Sequence, residues 1–522
     1  MYQSILVRSG RSALASFSAI AAVALLGSSL VTPSMALAAH TATVTVSPTL
    51  VKGGSSGTYS FNVANDSGSA NFIDYVEITA PSGFSITGSV SCPATWGTVT
   101  TGMPSSIECV GSANPAQNKR ILAGASATIS FAATAPSVDS TNPWDVYTED
   151  NNFDPQTNNP VTTVDATAPT ISSITTKDTD SDGRVDTATI VFSEAVDDST
   201  FAPNDFSVGG STGTSISTGT ADDNTFDVVV AGGVTGTEAK DVTYTKSAGA
   251  GADMVGNLLV DVNTAAFNEI DGAAPKLMAA QTVSVTSIIA AFSEDLNGAT
   301  VNSSGSEFTL SAGTVTAASE TSSGVVTLTV SPAFSTGATP DVTFTNSGTF
   351  TDLNGNEAVT PTTVTAADGI APTFTAARTG LNTIVLTFSE NVDVITTDGS
   401  GYTLSAGTVT ANTDPAGTSG TITLTTSGLT GTSETPTVTY GATAGTTVDA
   451  ATNEVTDGAS VVASDEVAPT VVLASLTANP TNGLIAVTAE FSEDVTGFDA
   501  TDITVGNGAV ENFVATDGNS YT

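Results

Sequence analysis

One nine-residue stretch of the sequence has the residue types and the spacing of a calcium-binding loop. Residues 178–186 read Asp-Thr-Asp-Ser-Asp-Gly-Arg-Val-Asp, so oxygen-bearing side chains fall at alternate positions around a glycine that permits a sharp turn. Calcium prefers hard oxygen ligands arranged in this way. We therefore predict a calcium site whose ligands are Asp178, Asp180, Asp182, the carbonyl of Arg184, and Asp186. A solvated acidic turn is the alternative interpretation of the same residues.

This stretch resembles the calcium loops of EF-hand and dockerin type, with two departures. Thr189 stands where an EF-hand supplies its bidentate Glu, and the flanking segments alternate as strands do. We therefore expect a β-hairpin calcium loop between the first two strands of one module.

The composition favours a β protein with an acidic surface. Among 522 residues, 52 are acidic and 11 basic, a net charge of −41, and only 6% are aromatic. An acidic surface gains no counterion release from nucleic acid and is repelled by anionic lipid, so both partners are excluded and divalent cations are expected instead. The length suits roughly three to five domains.

The first 38 residues have the pattern of a signal peptide. Arg8 and Arg11 precede an apolar run, and Ala36-Leu37-Ala38 forms a small-residue cleavage site. We predict cleavage after Ala38, secretion or display at the cell surface, and no membrane insertion thereafter. An uncleaved membrane anchor is the alternative.

The remaining chain has two cysteines and one histidine. Cys92 and Cys109 are close in sequence across turn-forming residues, so in an oxidising compartment we predict a local disulfide. His40 lies beside the cleavage site, which leaves no histidine for nucleophilic catalysis elsewhere.

Four internal repeats of about 100 residues follow residue 165. Each begins with an Asp, a short spacer and Ala-Pro, and contains the tripeptide Phe-Ser-Glu at the end of an apolar alternation. The junction aspartates are Asp165, Asp271, Asp368 and Asp465, and the tripeptides begin at Phe192, Phe292, Phe388 and Phe491. Counting back by twos from these phenylalanines predicts one buried strand face per repeat, made by Ile190 and Ala188, Ala290 and Ile288, Leu386 and Ile384, and Ala489 and Val487.

Three repeats also share a closing turn. Asp253 to Asn257 and Asp352 to Asn356 both carry a glycine before the Asn, whereas in Asp449 to Asn453 that position is Thr452. With about seven short strands per repeat, the pattern predicts β-sandwiches.

The Phe-Ser-Glu strand end and the Asp-x-x-Gly-Asn turn resemble the bacterial Ig-like repeats of S-layer proteins of SbsA type and of adhesins. The resemblance covers residues 166–522 and implies an all-β chain of tandem immunoglobulin-like modules arranged as an elongated rod. The expected organisation is a signal peptide (1–38), an N-terminal Ig-like sandwich with the disulfide (39–166), repeat 1 with the calcium loop (167–272), repeat 2 (273–369), repeat 3 (370–466) and repeat 4 (467–522). Repeat 4 stops before its closing strands, so we expect the chain to be a fragment or a truncated product.

The resemblance also implies a second kind of calcium site. In related modular adhesins, acids at junctions and strand ends bind calcium and stiffen the linker. The corresponding residues are Glu194, Glu294, Glu390 and Glu493 at the strand ends, with Asp271, Asp368 and Asp465 at the junctions. Charges that protect a sheet edge are the alternative.

These sequence features bear on three possible functions. A non-enzymatic structural or adhesive surface protein, stiffened by calcium and binding surface glycans or other surface proteins, accounts for export, repetition and acidity together. The alternative is an accessory region of a larger secreted glycoside hydrolase. A third possibility, a carbohydrate-binding module, would need an exposed aromatic face built from Trp96, Trp144 and Tyr147. A core tryptophan packed against the disulfide is the simpler explanation of these residues.

Overall fold

The computed structural model describes residues 40–99, 104–111, 119–150, 152–246, 251–262, 268–346, 348–394, 398–413, 419–443, 446–478 and 483–522. The predicted signal peptide lies outside the described residues. The chain divides into two compact units, one ending at Thr167 and the other spanning Ala168–Thr522. In the described part of the chain, no helix has the length and apolar character needed to cross a membrane.

The first unit is a β-sandwich. Its strands are β1 (Ala42–Ser47), β2 (Leu50–Lys52), β3 (Ser56–Asn65), β4 (Ile73–Thr79), β5 (Ser85–Ile86), β6 (Gly97–Val99), β7 (Ser106–Val110), β8 (Ser126–Thr134), β9 (Ser140–Pro143), β10 (Asp145–Asp150), β11 (Pro155–Asn158) and β12 (Val161–Asp165). One sheet has the order β1-β3-β8-β5 and the other β11-β10-β4-β7-β6, while β2, β12 and β9 form a small third sheet. Alternate residues of both main sheets point inward, as the period-two pattern predicts.

The core of this unit is centred on Trp144. Its ring lies 5.0–5.8 Å from those of Tyr59, Phe61, Phe84 and Phe131. The indole N–H donates to Thr162 Oγ1 at 3.0 Å, which satisfies the polar end of the buried side chain.

Repeat 1 has a five-stranded sheet in the order β18-β19-β14-β13-β22, a three-stranded sheet in the order β17-β16-β20 and a β15-β21 pair. Its strands are β13 (Ile171–Lys177), β14 (Arg184–Phe192), β15 (Val196–Asp197), β16 (Phe206–Val208), β17 (Ser211–Thr212), β18 (Ser215–Ser217), β19 (Thr225–Thr235), β20 (Val242–Tyr244), β21 (Ala252–Asp253) and β22 (Ile270–Asp271). Because β22 pairs in parallel with β13, the last strand of the repeat returns beside the first.

Repeats 2 and 3 divide their strands among sheets differently from repeat 1. The strands of repeat 2 form one seven-stranded sheet, and those of repeat 3 form a six-stranded and a three-stranded sheet. The strands of repeat 2 are β23 (Leu277–Ser284), β24 (Ser287–Phe292), β25 (Phe308–Leu310), β26 (Thr314–Ser322), β27 (Val325–Ser331), β28 (Asp341–Phe344) and β29 (Thr362–Ala367). Those of repeat 3 are β30 (Phe374–Gly380), β31 (Thr383–Val394), β32 (Tyr402–Leu404), β33 (Thr408–Thr413), β34 (Ser419–Ser427), β35 (Thr437–Tyr440), β36 (Thr447–Asp449), β37 (Ser460–Val462) and β38 (Ser464–Asp465). Again the last strand pairs in parallel with the first.

Each of these three repeats has its own apolar core, and the predicted strand faces are buried in all three. Repeat 4 differs. Its strands β39 (Val471–Ala474), β40 (Thr488–Phe491) and β41 (Ser520–Tyr521) form a single sheet. The prediction of a buried face is wrong at Val487, which is 43% exposed, because no second sheet faces these strands within the described residues.

The helical content of the described residues is limited to single 3-10 turns. These turns lie at Asp198–Thr200, Pro203–Asp205, Gly298–Thr300 and Ala500–Asp502. The fold class is therefore all-β, as predicted, with repeats 1 to 3 forming tandem immunoglobulin-like sandwiches.

Candidate metal centres

The acidic loop predicted to bind calcium connects β13 to β14, the first two strands of repeat 1. The reversal of the chain uses left-handed backbone at Ser181 (φ 58°) and Gly183 (φ 94°). Gly183 is also required by space, since a Cβ at this position would lie 2.3 Å from Met278 Sδ of repeat 2. The loop therefore packs against the next module.

Three of the predicted ligands come together in this loop. Asp178, Asp180 and Asp186 can each supply an oxygen such that the three atoms lie within 4.8 Å of one another. Asp182 is not in that group, and its N–H donates to Oδ1 of Asp178 and of Asp180 at 3.2 and 3.1 Å. The side chain of Arg184 points to the Gly232 carbonyl, 3.5 Å away.

The electrostatics of the loop fit a cation. Burial raises the pKa of Asp178, and the charges of Asp182 and Asp180 raise it further, against the lowering effect of the Gly183 N–H. A donor set made only of oxygens matches a hard divalent ion.

The closing turns of repeats 1 to 3 share one hydrogen-bond pattern. In each turn one oxygen of the first Asp accepts the N–H groups two and four residues later, and its other oxygen accepts the side-chain amide of the Asn. These aspartates are Asp253, Asp352 and Asp449. The residue before the Asn has φ of 89° at Gly256, 93° at Gly355 and 72° at Thr452, so the threonine adopts the conformation that glycine has in the other two turns.

These turns bring a third carboxylate to each junction. Between repeats 1 and 2, oxygens of Asp271, Glu294 and Asp352 lie within 4.8 Å of one another, and the three residues are only 7%, 8% and 1% exposed. The amide of Asn356 donates to the Asp271 carbonyl at 3.2 Å and so fastens the turn to the junction.

The next junction repeats the arrangement. Asp368, Glu390 and Asp449 form the corresponding group, and Asn453 donates to the Asp368 carbonyl at 3.3 Å. The structure thus brings together the junction and strand-end acids that the sequence pairs. It adds Asp352 and Asp449, which sequence reasoning identified as turn residues and not as ligands.

Burial dominates the electrostatics of both groups. It raises the pKa of Glu294 to about 9, the charge of Asp271 adds to the effect, and Thr237 opposes it by donating a hydrogen bond. Burial likewise raises the pKa of Asp271, Asp368 and Glu390. No described Lys or Arg forms an ion pair with either group. Three carboxylates so close together need a proton or a cation.

The remaining predicted acids are Glu194, Asp465 and Glu493. Glu194 is half-buried, two residues beyond β14, and can place an oxygen within 4.8 Å of one from Asp253, the turn Asp of its own repeat. Asp465 is exposed and accepts the Val467 N–H, while Glu493 has a buried Oε1 with no hydrogen-bond partner among the described residues. No described third acid joins Asp465 and Glu493.

The first unit contains the tryptophans and the two cysteines that the sequence analysis singled out. Trp144 is fully buried, so the simpler explanation, a core tryptophan, holds for this residue, and it cannot form part of an exposed sugar-binding face. Trp96 packs half-buried against the same core. Cys92 and Cys109 form the predicted disulfide, with Cα atoms 5.7 Å apart.

Acidic clusters where successive sandwiches meet are thus a feature of this tandem β-sandwich chain. Residues 465–522 match the bacterial Ig-like domain family. No curated protein matches the chain.

Several solved structures are similar over part of the chain. An immunoglobulin-like protein from Nocardia farcinica is 13% identical, covers 24% of this chain and 96% of its own, and has a TM-score of 0.19. A cohesin module from a family 33 glycoside hydrolase of Clostridium perfringens is 8% identical over 24% of this chain and 98% of its own, also at 0.19. The major pilin subunit of Bacillus cereus is 13% identical over 44% of this chain and 68% of its own, at 0.20. Scores this low carry no argument about function.

Proposed function

We propose that the chain is a secreted, non-catalytic structural or adhesive protein of a bacterial surface, in which calcium stiffens tandem Ig-like modules. The observation that carries the proposal is the recurrence of one group at two successive junctions. In both, one repeat supplies an Asp at the end of its last strand or one residue beyond it, and the next repeat supplies a Glu and a turn Asp. Because the acids recur at equivalent positions, their role belongs to the junction. Acids that merely solvate a surface would not need to recur at the same positions.

The chemistry of these groups supports calcium over a monovalent ion. Three carboxylates would bring a charge of about −3 into a site from which water is largely excluded, and a divalent ion offsets most of it. Because the ligands come from two modules, a bound ion would restrict the angle between them. In the hairpin loop, Lys276 Nζ of repeat 2 donates to the Ser181 carbonyl at 2.6 Å, so this site also adjoins the junction.

The proposed setting is extracellular. The signal-like start of the chain, the disulfide and the acidic surface are consistent with it. The proposed partners are surface glycans or other surface proteins.

Calcium titration of the whole chain, followed by calorimetric melting, tests the proposal. An ion that binds only the folded protein stabilises it by about 2.7 kcal/mol at 100 times its Kd, so the transitions of repeats 1 to 3 should move to higher temperature. Asp352→Asn should remove the shift for repeat 2, and Asp180→Asn combined with Asp182→Asn should reduce it for repeat 1. Asp341→Asn, an exposed change in repeat 2, is the matched control.

The stoichiometry provides a second measurement. Calorimetric titration should lose about one bound calcium in Asp352→Asn and none in Asp341→Asn. Unchanged melting of every repeat at about 5 mM calcium, above the Kd range of weak extracellular sites, would refute the proposal.

A further inference from the structure

Successive repeats touch through a pair of hydroxyl groups at every junction between Ala168 and Thr522. Thr237 Oγ1 lies 2.6 Å from Ser293 Oγ, Thr336 Oγ1 lies 2.8 Å from Ser389 Oγ, and Thr432 Oγ1 lies 2.7 Å from Ser492 Oγ. In each pair the threonine belongs to one repeat and the serine to the Phe-Ser-Glu of the next. All three threonines are buried, although threonine is a polar residue that is mostly found at surfaces.

The serine of each pair is fixed to the linker that enters its own repeat. Its Oγ accepts the N–H of the residue after Ala-Pro, at 2.9 Å from Lys276, 2.9 Å from Thr373 and 2.8 Å from Thr470. The serine N–H donates in return to the carbonyl of that same residue. The hydroxyl therefore has a set position relative to both the linker and the first sheet of its repeat.

The threonine lies on a loop that each repeat braces with a different side chain. In repeat 1, Lys240 Nζ donates to the Thr235 carbonyl at 2.8 Å. In repeat 2, Thr282 Oγ1 is 3.4 Å from the Ala338 carbonyl. In repeat 3, Arg378 donates to the carbonyls of Thr432 and Glu434 at 3.2 and 3.1 Å. The threonine loop therefore lies at the equivalent position in all three junctions, although a different side chain holds it in each repeat.

At the first junction the contact extends to the carboxylate group. Thr237 donates to Glu294 and also contacts Ser293, so one chain of hydrogen bonds runs from the Lys276 N–H to the buried carboxylate. Hydrogen bonds in such a chain polarise one another.

We infer that these Thr–Ser pairs form a junction latch that orients each repeat on the next without a bound cation. The partner that this surface fits is a further copy of the same module, because the threonine end of each repeat meets the serine end of its successor. The Thr–Ser contact joins two neutral hydroxyl groups and needs no bound cation, and at the first junction the same threonine also donates to Glu294, a proposed calcium ligand. It also assigns a role to the serine of Phe-Ser-Glu, which neither the core nor the carboxylate group requires.

The width of the distance distribution between repeats 2 and 3 tests the latch. Cysteines introduced at Thr329 and Thr425, exposed and equivalent positions in the two repeats, accept spin labels, and the native cysteines are both in the disulfide. In the full chain with EDTA, pulsed dipolar spectroscopy should give a narrow distribution. Thr336→Val should widen it about two-fold, because valine keeps the shape but removes the hydroxyl, and Thr336→Ser should restore the width.

A matched control lies within repeat 2. Thr343→Val removes a hydroxyl pair with Thr363, 2.9 Å away inside the same module, and should leave the width unchanged. If Thr336→Val does not fold, Thr432→Val with labels at Thr425 and Thr504 tests the same contact at the next junction. An unaltered width for the valine variant in EDTA overturns the latch.

Calcium separates this inference from the proposed function. If calcium narrows the distance distribution of Thr336→Val, the cation sites are supported. The latch is then decided by the widths of the variant and the unmodified protein in EDTA. A latch effect in EDTA with no response to calcium supports the latch and refutes the cation sites.

Discussion

Replacing Glu294 by Gln should weaken the response of the melting temperature of repeat 2 to pH and to calcium. The folded protein raises the pKa of Glu294 from 4.5 to about 9, first through burial and then through the charge of Asp271. Glutamine has nearly the same shape, can still accept the Thr237 hydroxyl, and carries no charge. The substitution therefore removes the charge while retaining the packing.

The direction of the pH dependence of stability follows from proton binding. Without a cation, folded Glu294 holds a proton that the unfolded chain releases above pH 4.5. The stability contributed by this group is fully present below that value and is lost as the pH rises towards 9. One proton gives at most about 1.4 kcal/mol per pH unit, so between pH 5 and pH 8 the loss has an upper bound of about 4 kcal/mol. Relaxation and water entry reduce this to about 2–4 kcal/mol.

Calorimetry of the full chain provides the assay, since a multidomain chain has several transitions and no single unfolding free energy. In EDTA, the repeat 2 transition should fall by about 10 °C between pH 5 and pH 8 in the unmodified protein and much less in Glu294→Gln. At pH 8 the variant should melt higher than the unmodified protein in EDTA, and lower in calcium, because the lost carboxylate is a proposed ligand.

Glu357→Gln, an exposed change in the same repeat, is the control and should keep the original dependence on pH. The reasoning is refuted if Glu294→Gln retains the full pH dependence in EDTA. That result would mean that the buried carboxylates of this junction do not hold the extra proton.

A further prediction concerns the closing turn of repeat 3. Thr452→Gly should stabilise this repeat by about 1–2 kcal/mol and so raise its melting temperature, because a β-branched residue at φ 72° is strained and glycine is not. A lower melting temperature would contradict this.

The strand faces were predictable because alternation is a local property. Ile190 and Phe192 are buried as counting by twos predicts, and so are Leu386 and Phe388. Val487 has the same local pattern and is exposed. Burial needs a second sheet above the face, and the sequence around a strand does not contain that information.

The acid groups at the junctions were predictable in part for a related reason. The Asp and Glu of each junction recur in linear motifs, so the sequence pairs Asp271 with Glu294. Asp352 lies 58 residues beyond Glu294 in the printed sequence, and only the return of the closing turn to the start of its own repeat brings it near. A usable signal was present, because an Asp with an Asn four residues later recurs in three repeats. From the sequence alone, the carboxylate of this Asp is interpreted only as part of the closing turn.

Trp144 shows where composition leaves alternatives open. A tryptophan in a sandwich is compatible with a sugar-binding face or with the core, and Trp144 lies between β9 and β10, where strand alternation does not decide between them. The position is decided by the aromatic rings of Tyr59, Phe61, Phe84 and Phe131, which surround it from the two sheets. None of these rings is adjacent to it in sequence.

The neighbouring Ser and Glu of Phe-Ser-Glu explain why a junction would use two kinds of contact. Ser389 forms neutral hydrogen bonds, whose strength changes little with pH or with the concentration of a cation. Glu390 belongs to a half-buried group of three carboxylates that is costly unless a proton or a cation neutralises it. The hydroxyl pair can therefore hold the orientation of the modules under all conditions, while the carboxylates make the strength of the junction respond to the surroundings. A junction with only the carboxylates would lose its orientation whenever the cation left, and one with only the hydroxyls could not respond to the cation at all.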